Sequence, residues 1–361
     1  NYTEAKMKLS NVSALVDAAL LLALTFGGIL NWFHDLSSTT TSGTILSGLI
    51  FFGLIGLFIS LAQLPIDLYK TFVLEEKFGF NKMSLSLFFK DLMIGLAVSA
   101  IIGSIFIVGL LWVMETAGIN WWWYAWLLAM TFWFFIQYIS PTVLAPMFNK
   151  FSPLNNEKLK ERIEGLLKKC GFQSSGLFVM DGSRRSSHGN AYFTGFGKSK
   201  RIVFFDTLIN KHSPEEIEAV LAHELGHFKL KHVFKLTCFL VLVSLVFFAL
   251  LGTLQQSAFI HEALNLHAFG SPSLLLAAFY FGLPPFLFLF RPLFAAYLRK
   301  NEFEADAYAA QQAPAQELIK ALIKLYKDNS STLTPDKLYS AFYDSHPPAS
   351  ARISRLEASI N

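Results

Sequence analysis

Six stretches of this chain are each long and apolar enough to cross a membrane: roughly 13–33, 45–66, 92–114, 122–146, 236–254 and 273–298. A spanning helix needs about 20 largely apolar residues, because a bilayer offers no water to an exposed backbone. One such run can be a buried core helix. Six within 361 residues, in a chain that is 53% hydrophobic and only 16% charged, leave too little polar sequence to cover them. A soluble domain carries about a quarter charged residues. The expected fold is therefore mainly α and polytopic, with lipid as its main surface partner.

The loops assign the sides. Segments 34–44, 115–121 and 255–272 contain no Lys or Arg. The alternate segments hold two in 1–12, four in 67–91, fifteen in 147–235 and eight in 299–361, and the remaining one is Arg291 inside the last span. Basic residues mark the cytoplasmic side. Residues 147–235 and the C-terminal segment are thus expected in the cytoplasm. The organisation reads as four spans in 1–146, a cytoplasmic α/β unit in 147–235, two spans in 236–298 and a cytoplasmic helical segment in 299–361. A net charge of +4 without a basic stripe excludes nucleic acid as a partner. Cys170 and Cys238 lack both disulfide context and metal-ligand spacing.

Within 147–235, apolar residues at helical spacing predict a helix at about 156–170. Three runs separated by Gly and Ser predict strands at 176–181, 190–196 and 201–206. A second helix is predicted from Ser213 as N-cap, with Pro214 in its first turn and Glu216 completing a capping box. It carries His223-Glu224-Leu225-Gly226-His227 towards the fifth span.

Histidines four apart on a helix project from one face, so His223 and His227 can share one tetrahedral Zn²⁺ per chain. Glu224 lies about 100° around the helix and can take a proton from a water at the metal. A catalytic zinc needs a third protein ligand. His232, five residues beyond His227, is expected to face away as a structural or surface group. In "RKNEFEADAYA", Glu302 and Asp306 share a helix face; Glu302 can ligate and Asp306 can accept the free N–H of a ligand histidine. By spacing alone the pair reads equally well as a solvated acidic edge. Glu304 is expected on another face, in solvent.

Several colinear segments together resemble the type I CAAX prenyl proteases: "LPIDLYKTFVLEEKFGFN", "GSRRSSHGNAYFTGF", "KRIVFFDTLI", "HELGHFKLKH", "NEFEADAYA", "ALIKLYKDN" and "SHPP" followed by Arg352. The resemblance implies a helical barrel enclosing an intramembrane chamber, closed by a small α/β zinc-peptidase unit. It implies seven spans, so one more is expected before Asn1. It assigns His223, His227 and Glu302 to zinc, Glu224 to general base, and His346 and Arg352 to the developing oxyanion. The "NAYF" segment, with Asn190, Ala191 and Tyr192, is expected to be an edge strand that pairs an extended peptide, although an ordinary strand with a turn Asn fits the same letters. The implied activity is zinc-dependent peptide-bond hydrolysis of a peptide or protein, as in enzymes that remove the C-terminal tripeptide of prenylated proteins. Only "INKHSPEE" separates the last strand from the zinc helix, and no retrieval signal closes the chain. Both features suggest a compact prokaryotic member, with a substrate that need not be prenylated; the membrane is the cell inner membrane if the source is bacterial and the endoplasmic reticulum if it is eukaryotic. The alternatives are an HtpX-like quality-control protease and a non-catalytic chamber binding lipid or protein. The presence of Glu224 argues against the second, since a binding module has no use for a general base there.

Overall fold

In the computed structural model, residues 2–360 are described except 196–199, 256, 258–261, 264–265 and 269. The membrane part begins with α1 (Tyr2–Leu24), α2 (Ile29–Thr40), α3 (Thr44–Tyr69), α4 (Leu85–Thr116) and α5 (Trp121–Ile139). Helices α3 and α5 run on through π-helical turns at Lys70–Glu75 and Ser140–Leu144, and α6 (Ala145–Phe148) follows. The expected first span at 13–33 is corrected here. Its helix occupies 2–24, and Gly28, with φ 75°, breaks the chain before α2. A left-handed φ costs glycine nothing, and the apolar pattern runs through such a break without registering it.

The soluble part holds β1 (Phe151–Pro153), α7 (Glu157–Lys169), β2 (Leu177–Met180), β3 (Ala191–Thr194), β4 (Arg201–Phe205), α8 (Asp206–Lys211) and α9 (Pro214–Lys229). The strands order β1-β2-β4-β3, with β2 parallel to β4 and the outer pairs antiparallel. β3 is therefore an edge strand. Position 196 of the expected strand lies outside the described residues, as does much of the 255–272 loop. β1 was not foreseen, because three residues ending in a proline carry no readable alternation.

Then come α10 (His232–Leu254), α11 (Pro272–Gly282), α12 (Pro284–Phe288), α13 (Arg291–Gln312), α14 (Ala315–Asp328), α15 (Lys337–Tyr343) and α16 (Ala349–Ala358). The expected sixth span is not one straight helix: the 272–288 and 291–312 pieces meet at 67°. Pro284, Pro285 and Pro292 remove three backbone N–H donors around the bend, which is enough to bend a helix. Five helices among the described residues are of spanning length and apolarity, or six if the bent pair counts as one.

In the most apolar window of each of those five helices, between 0 and 17% of the residues are buried within the protein. A packed bundle would bury the inward stripe, about 3/7 of each helix. Walls one helix thick are what a barrel requires. The soluble unit packs conventionally instead. Leu159, Ile163 and Leu166 of α7, Ile202 and Phe204 of β4, Ile217, Leu221 and Leu225 of α9 and Leu318 and Leu322 of α14 form one buried cluster. Each such side chain contributes about 1.5–3 kcal/mol on burial.

The predicted N-terminal cap of α9 is present. Ser213 Oγ accepts from Glu216 N (3.3 Å), and Glu216 Oε2 accepts from Ser213 N (3.1 Å). Glu216 also receives Lys324 Nζ at 2.7 Å, tying α14 to α9. A second fastening joins soluble unit to membrane helices. Arg185 donates through Nε and Nη2 to Asp91 (2.8 and 2.9 Å) and reaches the Phe148 carbonyl at 2.6 Å.

Candidate metal centre

Helices α9 and α13 cross where both carry small residues. A Cβ on Gly226 would lie 3.0 Å from Ala305 Cα and 3.1 Å from its carbonyl oxygen, so a larger residue would push the two helices apart by a few tenths of an ångström. The crossing sets Glu302 and Asp306, one turn apart on α13, against His223 and His227 on α9. The sequence left these acidic residues open between ligands and a solvated edge. They are 6% and 3% exposed, which excludes the solvated edge.

Potential ligand atoms of three side chains converge, with both Glu302 oxygens facing the histidine pair. His223 Nε2 and His227 Nε2 are 3.2 Å apart, His227 Nε2 is 3.2 Å from Glu302 Oε1, and His223 Nε2 is 3.5 Å from Glu302 Oε2. Tetrahedral zinc with N and O ligands at 2.0–2.1 Å requires ligand separations of about 3.3–3.4 Å. The donor set therefore fits zinc in type and in spacing. His223 Nδ1 donates to Asp306 Oδ1 at 2.8 Å, so in the neutral ring Nε2 presents a lone pair to the triangle. Glu302 Oε2 is buried and accepts no aligned hydrogen bond, although His346 Nδ1 approaches to 2.8 Å. Three lone-pair atoms in this arrangement repel unless a cation lies among them. The site's appetite for positive charge shows in His223: burial resists its protonation, yet Asp306 and Glu302 lift its pKa to about 9.

Arg352 backs the cluster from the buried side. Its Nε and Nη2 donate to the two Asp306 oxygens at 2.8 and 2.6 Å, and Nη1 lies 3.3 Å from Glu302 Oε2. Burial opposes its charge, but the Asp306 carboxylate keeps its pKa above the ordinary arginine value. Expected as an oxyanion donor, Arg352 is instead committed to the carboxylates of α13. His346 reaches the site from the turn between α15 and α16, with 63% of its side chain exposed. Glu224 is half-buried and enters no hydrogen bond or ion pair among the described residues. Asn190 turns its Oδ1 onto Ala191 N (2.8 Å), and its carbonyl accepts from Phe205 N. Ala191 is buried in the soluble core, while Tyr192 lines a 70 Å³ cavity with Pro141, Pro146 and Phe151.

His232 is a structural rather than a surface group and stands outside the ligand set, as expected, but it does not face away from His227: its Nδ1 lies 3.0 Å from His227 Nδ1, and it is 3% exposed. Nor is Glu304 simply solvated, for its Oε2 lies 3.0 Å from His232 Nε2. Extrapolating α9 as a continuous helix misplaced His232. The helix ends at Lys229, Lys231 takes φ 58°, and α10 starts at His232 on a new axis. A lysine in left-handed backbone leaves no mark in the sequence pattern.

The chain matches two family models: CAAX prenyl protease N-terminal, five membrane helices, over residues 1–150, and peptidase family M48 over residues 153–360. CAAX prenyl protease 1 of Saccharomyces cerevisiae is 37% identical over 333 residues, covering 87% of this chain and 73% of that protein. The Arabidopsis thaliana homolog is 35% identical, over 96% and 82% of the two chains. The Homo sapiens homolog is 35% identical over 87% and 74%. The crystal structure of S. mikatae Ste24p superposes with a TM-score of 0.92 at 33% identity, over 99% of this chain and 88% of that one. The expectation of a prokaryotic member is not borne out, since these relatives are eukaryotic. By sequence along nearly its whole length, and by fold, the chain belongs to peptidase family M48 in its CAAX prenyl protease 1 branch, and is an integral-membrane zinc metalloendopeptidase.

Proposed function

We propose that the protein binds one zinc ion through His223, His227 and Glu302 and hydrolyses a peptide bond near the C-terminus of prenylated CAAX proteins. The carrying observation is the triangle of lone-pair atoms at tetrahedral spacing, with the uncommitted Glu224 beside it. Zinc bound there supplies Lewis acidity, polarising a carbonyl and lowering the pKa of a water. Glu224 accepts the proton of the attacking water and delivers it to the leaving amine. Asp306 holds His223 in the tautomer with Nε2 free, and Arg352 holds Asp306. His346, accessible yet next to Glu302, donates to the oxygen on which negative charge develops. β3 offers its free edge to the substrate backbone beside Asn190 and Ala191, with Tyr192 facing the other side of the sheet.

The substrate reading is tested with the purified full chain and two peptides of identical sequence, one prenylated at the CAAX cysteine. The prenylated peptide is expected to be cleaved with the higher kcat/KM. Equal cleavage of both would withdraw the lipid requirement and leave a general membrane endopeptidase.

We further infer a cytoplasmic catalytic unit in the endoplasmic reticulum membrane, from the partition of basic residues and the eukaryotic relatives. With Cys170 and Cys238 replaced, single cysteines at Ser42 and Ser257 should label from the non-cytoplasmic side. One at Ser331 should label only from the cytoplasm. Labelling of Ser331→Cys from the non-cytoplasmic side would reverse the orientation.

A further inference from the structure

Each candidate ligand histidine has a second ring nitrogen turned away from the ligand triangle, and the structure gives the two different partners. His223 Nδ1 meets a carboxylate directly, Asp306 at 2.8 Å. His227 Nδ1 meets another imidazole, His232 Nδ1 at 3.0 Å, with the rings inclined at 73°. His232 Nε2 in turn lies 3.0 Å from Glu304 Oε2. A carboxylate accepts only, so His232 Nε2 must carry a proton. A neutral imidazole has one N–H, which leaves His232 Nδ1 as an acceptor. The proton between the two rings then belongs to His227 Nδ1, and the lone pair of His227 is on Nε2. That atom lies 3.2 Å from both His223 Nε2 and Glu302 Oε1. One run of hydrogen bonds from Glu304 thus fixes the tautomer and the tilt of His227.

We propose that His232 and Glu304 form a positioning relay for His227, the counterpart of the direct Asp306 contact on His223; this rests on the reading of His227 as a zinc ligand. The relay answers a local weakness. His223 sits in the interior of α9, whereas His227 lies in its last turn, two residues before Lys229, where helices fray. No carboxylate of α13 reaches His227 Nδ1 among the described residues. The left-handed backbone at Lys231 folds the first residue of α10 back over His227, and the buried imidazole spans the gap to Glu304. His232 touches neither the metal triangle nor an open face of the site. Its role is to orient, not to react.

The test is zinc affinity of the full chain in detergent, measured by chelator competition, so that it does not depend on turnover. Loss of a partner behind a metal-bound histidine weakens affinity by about 10–100-fold. His232→Ala is expected to fall in that range, and Glu304→Ala to weaken binding in the same direction. The double variant should bind no more weakly than His232→Ala alone, because the relay is already cut; independent contributions would multiply. His232→Gln should recover most of the affinity, since its amide offers an acceptor oxygen to His227 and an NH2 donor to Glu304. The visible spectrum of the cobalt-loaded protein should shift in both alanine variants and return towards wild type in His232→Gln. Unchanged zinc affinity in His232→Ala, or multiplicative losses in the double variant, would overturn the relay. Should His232→Ala fail to fold, wild-type affinity in Glu304→Ala would overturn it equally. The ligand assignment has its own control: a His223→Ala, His227→Ala double variant that keeps its zinc would sink that reading, whatever the relay variants do.

Discussion

Glu224→Gln is expected to keep the fold and the zinc and to lower kcat by at least about a hundredfold, the low end for loss of a general base. The change is nearly isosteric. Glu224 has no hydrogen-bond or ion-pair partner among the described residues, so nothing structural is lost with its charge. The three converging ligand atoms come from other side chains, and the capping box that starts the helix is about two to three turns away. Metal content by elemental analysis and thermal unfolding should both match wild type, while single-turnover cleavage of a prenylated peptide collapses. Normal turnover with full zinc would remove Glu224 from the mechanism and give the role of general base to another group.

His346→Ala is expected to lower kcat by about 10²–10³, the effect of removing one oxyanion donor, roughly 2.7–4 kcal/mol, with KM little changed. The side chain is largely exposed, so its loss leaves no cavity, and Tyr326 Oη still holds the turn by donating to the Pro347 carbonyl. Zinc should be retained, because the three proposed ligands are untouched. The rival donor is His188, which lies close in sequence to β3. Its imidazole is already engaged: Nδ1 lies 2.6 Å from Asn329 Oδ1, and the ring stacks on Phe80 at 4.5 Å. His188→Ala is therefore expected to leave kcat within a few-fold. A near-normal His346→Ala beside a crippled His188→Ala would reverse the assignment. A fall in thermal stability without a kcat effect would make the His-Pro-Pro turn merely structural.

The sequence by itself determined whatever depends on local pattern. Apolar length gave the membrane helices except for the breaks at Gly28 and near Pro284, Ser213 and Glu216 gave the start of α9, and the four-residue spacings put His223 with His227 and Glu302 with Asp306 on shared faces. Those signals hold because a helix has a fixed period and a bilayer has a fixed thickness. Spacing could not say which face meets which. Only the close crossing at Gly226 and Ala305 turned two acidic residues that might have been solvated into half of a buried site. Only the chain reversal at Lys231 brought His232 back to His227, and with it Glu304. His346 lies 119 residues beyond His227, a distance at which no periodicity carries information, and the packing of α13 to α16 brings it to Glu302. Local periodicity fixes where a side chain points on its own element, but the partner it meets is chosen by packing and by single backbone breaks, which leave no periodic trace.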